Sequence, residues 1–570
     1  MKKLYIILAL LIMIIGYGCK KNFLERDPLD SFSDDTYWKT EKEVSAFAWG
    51  FYTNYFTGYG SGFTFGKYFS GETLNDDFAP TTPTAFTKNV PAAASSVAPT
   101  IWNFAWIRKA NIFIDRINLV PMSEEAKRHW TGVGRFFRAL EYNENVKSYG
   151  DFPYYDKPLE ETSTDLYKPR DPQILVLDNM LADFKYAAEN VRAADVAVGP
   201  NGQIVNKYVV LAFMSRVFLY HGTLLKYANI NPGKATEYLE AAKWAANEVM
   251  TKGGYALAPK YRTLFSSLDL KGNPEVILYR QYATAQSTHS LVSYVNKEPQ
   301  TGPSKNAIEA YLCNDGLPIS VSPLYQGDKL ITNVMANRDP RIKETFVPEL
   351  RLPGVAANYS TSGYSVLKFL IEDSSLWNSA EALSSSNTTD APVIRLGEVM
   401  MNYAEACAEL GTITQTDLDN SINKLRKRAG IGMPSLQVIG GNPAVNGVVY
   451  NDPLRDPTVP SLIWEIRRER RIELMMEGFR NDDLKRWRKY AYVDTKVNTS
   501  INRGAWIKKA DYPKATVTID GATEGYIIPA PKPETQRVFD NDKVYLNPVP
   551  LDQIKLYKDQ GVDLKQNPGW

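Results

Sequence analysis

The chain has 570 residues, and its 66 lysines and arginines nearly balance 64 aspartates and glutamates, for a formal net charge of +2. This balance excludes the strongly basic surface with which proteins neutralise nucleic-acid phosphates. Three cysteines are too few for a fold held by disulfides. Aromatic residues make up 12% of the chain, and their flat rings with polar edges suit recognition surfaces as well as cores.

The first nineteen residues have the order of a secretion signal. Lys2 and Lys3 precede the apolar run 4–15, which is followed by Gly16, Tyr17, Gly18 and Cys19. The apolar run is too short to span a bilayer, which takes about 20 residues. A cysteine at the cleavage point predicts a lipoprotein acylated on Cys19, with residues 1–18 removed and residues 19–40 serving as a polar tether. An ordinary secreted protein with a coincidental cysteine is the alternative.

Apolar residues recur every three to four positions along most of the chain, which predicts amphipathic helices. The predicted helices cover residues 41–56, 102–119, 123–149, 172–192, 206–226, 233–251, 395–410, 417–429 and 460–479. Ser123 is the expected N-cap of the third helix. Two successive pairs, beginning at residues 206 and 395, have the length and short turn of tetratricopeptide repeats, although any antiparallel helical hairpin fits the same pattern.

Residues 80–99 and about 283–391 lack periodicity and are rich in small polar residues, so we predict long loops there. Loops of this length are usually functional or disordered. Residues 491–570 are also predicted to be loop with short extended segments. Cys407 lies in an apolar helical pattern and is expected to be a small buried residue.

No sequence motif of a common enzyme class is present. The chain has three histidines and lacks the HExxH, Walker A and GxGxxG patterns, and Gly58–Gly62 is not a Gly-x-Ser-x-Gly elbow because position 59 is tyrosine. A glycosidase needs only two carboxylates, which leaves that class open. Asp540 and Asp542 suit either calcium or a surface turn, and we predict the turn. No cofactor, metal ligand or catalytic residue is predicted.

Five segments together resemble the SusD/RagB family of outer-membrane nutrient-uptake lipoproteins. They are residues 135–153, 338–342, 395–430, 469–487 and 545–570. In that order they contain Arg-Phe-Phe-Arg-Ala-Leu-Glu-Tyr, Arg-Asp-Pro-Arg-Ile, Arg-Leu-Gly-Glu-Val-Met-Met-Asn-Tyr-Ala-Glu-Ala, Glu-Arg-Arg-Ile-Glu-Leu-Met-Met-Glu-Gly-Phe-Arg and Gln-Asn-Pro-Gly-Trp. One segment alone would be weak evidence, but five in sequence make the resemblance specific and cover nearly the whole mature chain.

The resemblance implies a mainly α fold with minor β, as one SusD-like domain over residues 41–570. A tetratricopeptide-like scaffold would occupy about 41–270 and 391–490, a loop-rich ligand region about 283–390, and a loop-rich C-terminal region 491–570. It further implies a cell-surface lipoprotein of a Gram-negative outer membrane that captures glycans and delivers them to a SusC-like TonB-dependent transporter. Binding of peptides or another nutrient is the alternative, and a surface glycoside hydrolase is a remote one.

The charged residues of the family motifs are interpreted as structural. They lie at helical spacing and are Arg135, Arg138, Glu141, Tyr142, Arg470, Glu473, Glu477 and Arg480. A substrate or nucleic-acid patch would explain the same spacing. However, arginine alternates with glutamate in residues 467–473 without a basic surplus, so we predict hydrogen-bonded ion pairs between helices.

Glycan capture needs aromatic rings for the apolar face of a sugar and polar side chains for its hydroxyl groups. Aromatic and acidic residues in polar, non-periodic surroundings are therefore the predicted ligand contacts. They are Trp102, Tyr68, Asp76, Asp77, Tyr311, Tyr359, Tyr364 and Trp377. Ordinary loop packing is the competing explanation for each of them.

Overall fold

The computed structural model describes residues 37–60, 75–81, 93, 95–96, 102–194, 199, 202–292, 301–379, 386–530 and 537–570. The predicted lipidation site Cys19, most of the tether and Tyr68 lie outside these residues.

Helices form most of the regular structure in the described part of the chain. The long ones are α1 Glu41–Tyr55, α2 Ala105–Arg116, α3 Glu124–Tyr149, α4 Gln173–Asn190, α5 Lys207–Ala228, α6 Pro232–Lys252, α11 Leu396–Glu409 and α14 Ser461–Glu473. The short ones are α7 Thr263–Ser266, α8 Lys305–Glu309, α9 Ile331–Met335, α10 Arg341–Thr345, α12 Gln415–Asn420, α13 Ile422–Arg426, α15 Arg480–Arg486 and α16 Leu551–Asp559. The mainly α fold class predicted from the sequence is confirmed.

Most predicted helices are present within a few residues of their expected ends. Ser123 caps α3 as predicted, since its side chain accepts a hydrogen bond from the Ala126 N–H at 3.1 Å. The prediction of one continuous helix over residues 417–429 was wrong. Ser421 leaves the helical region at φ −128° and ψ −94° and separates α12 from α13. The prediction that a helix runs to residue 479 was wrong at its end, because α14 ends at Glu473 and Leu474 leaves the helical region at φ −102° and ψ 17°. The left-handed φ of 67° at Met476 keeps the following residues out of the helix.

Nine short strands pair into four small antiparallel sheets in the described residues. The strands are β1 Phe78–Pro80, β2 Val276–Arg280, β3 Thr301–Pro303, β4 Ala391–Arg395, β5 Gln437–Ile439, β6 Asn442–Val445, β7 Val448–Val449, β8 Trp506–Lys508 and β9 Glu524–Tyr526. The pairings are β1 with β3, β2 with β4, β5 with β6 and β7, and β8 with β9. These sheets tie the loop-rich regions to the helices.

The helices α1 to α6 bury one large apolar core, and the loop-rich residues 258–370 and 505–527 bury a second. Helix α5 lies at the centre of the first core. It is the one described helix long and apolar enough to cross a membrane, and 89% of its apolar window is buried inside the protein, which is the pattern of a core helix. Cys407 and Cys313 are both buried and free.

A network of buried ion pairs joins three of the motif segments. Arg341 contacts Glu469 at 2.7 Å and Glu473 at 3.0 Å, and Arg395 contacts Glu473 at 2.8 Å and Glu477 at 2.7 Å. Burial favours the neutral form of Glu473, but the surrounding arginines outweigh it and lower its pKa. The predicted structural role of these charges agrees with this geometry, which links α10, β4 and α14.

The first motif segment makes a second buried network. Arg138 binds Asp183 through two hydrogen bonds of 2.8 and 2.7 Å, and this pair joins α3 to α4. The Tyr55 hydroxyl donates to Glu141 at 2.6 Å and joins α1 to α3. Arg135 is more exposed and lies 3.9 Å from Asp183. These side chains therefore contact other residues of the protein, as the structural interpretation predicts.

Asp390, just before β4, gives the fold a pH-dependent element. Its buried carboxylate accepts hydrogen bonds from the Tyr282 N–H at 2.9 Å and the Leu270 N–H at 3.0 Å. Burial outweighs these bonds and raises its pKa from 3.8 to about 6. A carboxyl whose pKa is raised by folding stabilises the protein most below its unfolded pKa and loses that contribution as the pH rises through the folded pKa.

We therefore expect the stability of the wild type relative to Asp390→Asn to fall by about 2 kcal/mol between pH 4 and pH 7. Urea unfolding of both proteins at several pH values measures the difference. Asp373→Asn is the control, because serine hydrogen bonds lower the pKa of Asp373, so its relative stability should change in the opposite direction. A flat difference for Asp390 would contradict the assignment.

Candidate ligand-binding face

The segment that carries Tyr359 is held by backbone hydrogen bonds to Arg351. The Ser360 N–H donates to the Arg351 carbonyl at 2.9 Å, and the Arg351 N–H donates to the Gly363 carbonyl at 3.0 Å. Strand β3 lies directly against this segment, because a Cβ atom on Gly302 would come within 2.3 Å of the Ser360 hydroxyl. The backbone thus fixes Tyr359, which is half-buried, beside Arg351.

Trp377 lies next to the same arginine, and we call Arg351, Tyr359 and Trp377 the Trp377 patch. The Arg351 guanidinium carbon is 5.3 Å from the centroid of the Trp377 ring. The indole N–H donates to the Ile371 carbonyl at 2.7 Å, and one side of the ring packs on Val292 and Leu370. The ring is therefore fixed in position while part of it remains open to solvent.

A second pair of aromatic residues lies on the β8–β9 hairpin. Trp506 and Tyr526 are directly opposite each other across the two strands, where cross-strand side chains are close. The Tyr526 hydroxyl donates to Asp328 at 2.7 Å, and the Lys329 ammonium is 5.7 Å from the centroid of the Trp506 ring. We call Trp506, Tyr526, Asp328 and Lys329 the Trp506 patch.

Hydrogen bonds fix the protonation of the Trp506 patch. Burial tends to raise the pKa of Asp328, but its hydrogen bonds with Tyr526 and Lys305 outweigh this and lower the pKa. Burial and the Asp328 hydrogen bond raise the pKa of Tyr526. At neutral pH the patch therefore combines two rings, a carboxylate and an ammonium group, which can donate to and accept from hydroxyl groups.

The two patches are carried by neighbouring segments, because the backbone between them is directly bonded. The Ala505 N–H donates to the Ser362 carbonyl at 2.8 Å. Gly504 has no room for a side chain, since a Cβ atom would lie 2.1 Å from the same carbonyl. Strand β8 is thereby fixed against residues 360–363. The two patches together are the candidate site for a ligand, and we call them the ligand-binding face.

The C-terminal half of the chain, residues 274–570, matches the family model described as the SusD family. The chain belongs to the SusD family. This match includes the ligand-binding face and the buried network of Arg341, Arg395 and Glu473. The family is one of carbohydrate-binding proteins associated with the outer membrane, and the resemblance identified from the sequence is confirmed.

Individual relatives are distant but cover almost the whole chain. The SusD-like protein P38 of Formosa agariphila is 22% identical over 87% of this chain and 94% of its own length. A SusD-like carbohydrate binding protein of Bacteroides fragilis has a TM-score of 0.68, with 21% identity and coverage of 91% of this chain and 99% of that one. A laminarin binding SusD-like protein has a TM-score of 0.57, with 19% identity and coverage of 94% and 100%.

The structure places three of the predicted contact residues inside the protein. Trp102 lies in the first core against Tyr149 and Phe152. Tyr311 and Tyr364 lie in the second core, where they are 0% and 2% exposed. Their polar sequence neighbours suggested a surface position, but their rings fill the core beneath the loops. None of the three rings has a face open to a ligand in this conformation.

Asp76 and Asp77 are also engaged within the SusD scaffold. Arg480 binds Asp76 through two hydrogen bonds of 2.7 Å, and Arg471 donates to Asp77 at 2.7 Å. Burial tends to raise the pKa of Asp76, but the two arginines outweigh it and lower the pKa. These carboxylates therefore fix the segment before β1 to α14 and α15.

Of the predicted contacts, Tyr359 and Trp377 are partly exposed, with Tyr359 next to the backbone partner of Arg351 and Trp377 beside the Arg351 guanidinium group. Tyr68 lies outside the described residues. Trp506 and Tyr526 were not predicted from the sequence, because they occur in the region predicted to be loop. Residues 506–508 and 524–526 are too short for a periodicity signal. The available signal for a hairpin was that Trp506 and Tyr526 lie at the two ends of a segment that contains proline and glycine.

Proposed function

We propose that this protein captures glycans on the ligand-binding face. The observation that carries the proposal is the placement of two partly exposed aromatic patches, around Trp377 and Trp506, on one hydrogen-bonded framework. Each patch presents a ring beside a cation, and the Trp506 patch adds the Asp328 carboxylate. A sugar chain needs this combination, because its rings are apolar on their faces and carry hydroxyl groups at their edges.

The geometry favours recognition without bond cleavage. Both rings are fixed by packing or by strand pairing, so little side-chain freedom is lost when a sugar binds. Because the rings are only partly exposed, we expect dissociation constants on the order of μM to mM. Among the described residues, no group of three or more histidine, cysteine, aspartate or glutamate side chains suits a metal ion. Membership of the SusD family, which is one of carbohydrate-binding proteins, supports binding as the role of this protein.

The proposed cellular role is that of a surface lipoprotein that passes glycans to a SusC-like TonB-dependent transporter. The scaffold of about 41–270 and 391–490 would hold the ligand region 283–390 and the C-terminal hairpin, as one domain over 41–570. Membership of the SusD family supports this role, and the charged, apolar and small-residue order before Cys19 supports anchoring in the outer membrane.

Cys19→Ala is expected to release the protein from the membrane, because acyl chains contribute about 0.8 kcal/mol for each buried CH2 group. Cell fractionation of the wild type and the variant, expressed in a bacterium that processes lipoproteins, measures the effect. The wild type should appear in the detergent-extracted fraction and the variant in the soluble fraction. A variant that still needs detergent for extraction would contradict anchoring through Cys19.

Affinity electrophoresis against soluble plant, host and microbial polysaccharides tests glycan capture. At least one polysaccharide should retard the wild-type protein. Peptide capture is the second candidate function. Titration with a tryptic digest of a protein mixture distinguishes it from glycan capture. Binding of peptides without retardation by any polysaccharide would replace the glycan proposal.

A further inference from the structure

A polar cavity of about 340 Å³ opens in the helical scaffold and shares no lining residue with the ligand-binding face. Its wall comes from the C-terminal part of α3, the middle of α5, Arg470 of α14 and residues 478–486, which include α15. The size falls at the lower end of the range for sites that bind small molecules. Lys147, Tyr220, Asn481 and Lys485 are part of this wall.

Four of the five cations that line the cavity have carboxylate partners. Lys147 pairs with Asp482, Arg216 with Glu398, Arg470 with Asp483 and Arg486 with Glu405, at distances of 2.6, 2.6, 3.0 and 2.6 Å respectively. Lys485 donates to the backbone carbonyl of Lys147 at 2.7 Å. Within the described ranges, no carboxylate lies within 4.0 Å of its ammonium group. Burial and the nearby Lys147 outweigh the opposite effect of Asp482 and Glu144 and lower the pKa of Lys485 to about 8.

Two neutral polar atoms in the wall also have unused hydrogen-bonding capacity. The Tyr220 hydroxyl and the Asn481 Oδ1 atom are buried and have no hydrogen-bond partner among the described residues. Tyr220 as a whole is 5% exposed. A buried polar group without a partner is rare in folded proteins, because its interaction with water has been lost without replacement. A ligand or ordered solvent that fills the cavity would supply the missing partners.

We propose that this cavity binds a small hydroxycarboxylate, such as a single sugar acid. Its carboxylate would accept hydrogen bonds from Lys485 and Tyr220, and one of its hydroxyl groups would donate to Asn481 Oδ1. A neutral sugar leaves Lys485 without a carboxylate in contact, and a simple carboxylate such as acetate has no hydrogen to donate to Asn481. The cavity is therefore expected to select a ligand that carries both a negative charge and a hydroxyl group that can donate a hydrogen bond.

Isothermal titration of the purified full chain with D-glucuronate, D-glucose and acetate tests the proposal. Glucuronate should bind at least tenfold more tightly than either of the others, since a charge-assisted hydrogen bond is worth about a factor of ten in affinity. Equal binding of glucose or of acetate, or no binding of glucuronate, would overturn the proposal.

Variants locate the binding site. Tyr220→Phe should weaken glucuronate binding about tenfold and leave the melting temperature unchanged or raised, because the hydroxyl that it removes has no partner in the fold. Lys485→Gln, which can still donate to the Lys147 carbonyl, should weaken binding more. Tyr238→Phe is the control, since the Tyr238 hydroxyl donates to Asp178 and neither residue lines the cavity. If Trp506→Ala abolishes glucuronate binding while Tyr220→Phe does not, the sugar acid binds the ligand-binding face and the proposal fails.

Discussion

Replacing Glu473 with glutamine is expected to destabilise the fold by about 3–5 kcal/mol, the cost of removing one member of a buried charge network. Glu473 is fully buried and contacts three guanidinium groups, those of Arg341 at 3.0 Å, Arg395 at 2.8 Å and Arg428 at 3.2 Å. A neutral amide leaves these buried cations with too little negative charge. Urea unfolding followed by circular dichroism measures the loss.

Glu237→Gln is the matched control for this prediction. Glu237 pairs with Lys234 one helical turn away at 2.8 Å, and its side chain is 45% exposed. Exposed pairs contribute less than about 1 kcal/mol, because solvent screens the attraction. Equal losses for the two variants would mean that the network of Glu473 contributes no more than a surface pair, and would contradict the account of the scaffold.

Trp506→Ala is expected to weaken glycan binding at least tenfold, corresponding to about 1.4 kcal/mol, while the free energy of unfolding changes by less than about 1 kcal/mol. The ring is half-buried on a two-stranded hairpin, so its loss removes a stacking surface and little core. Affinity electrophoresis with a polysaccharide that retards the wild type measures the first effect, and urea unfolding measures the second.

Trp49→Ala provides the control for aromatic loss at another surface. Trp49 lies on α1, is 49% exposed and belongs to neither patch. Its replacement should leave glycan binding unchanged. If Trp49→Ala weakens binding as much as Trp506→Ala, non-specific surface adsorption and not the ligand-binding face explains the retardation.

The helical scaffold could be predicted from the sequence because long amphipathic helices have a strong period. Helices α3, α5 and α6 span 18 or more residues and bury a continuous apolar stripe. The structural role of Glu473 and Arg480 could also be predicted, since arginine and glutamate alternate there at helical spacing. Where a helix ended depended on single backbone conformations, such as the positive φ of Met476, which composition does not reveal.

The ligand-binding face was harder to predict, because sequence neighbours do not determine burial in long loops. Tyr364 lies among serines and glycine, yet it fills the second core, while Trp377 in a similar context stays partly exposed. The difference arises from contacts with residues far away in the chain. For example, Gly363 lies against Ala505 and Ile527. Trp506 was missed for the same reason, since the hairpin that presents it has three paired residues on each strand.

The most direct test of the central claim is affinity electrophoresis of the wild type and of a Trp377→Ala, Trp506→Ala double variant against a panel of soluble polysaccharides. We predict that at least one polysaccharide retards the wild type and that the double variant, with an unchanged unfolding transition, migrates as it does without polysaccharide. Equal retardation of both proteins would contradict the assignment of glycan capture to this face.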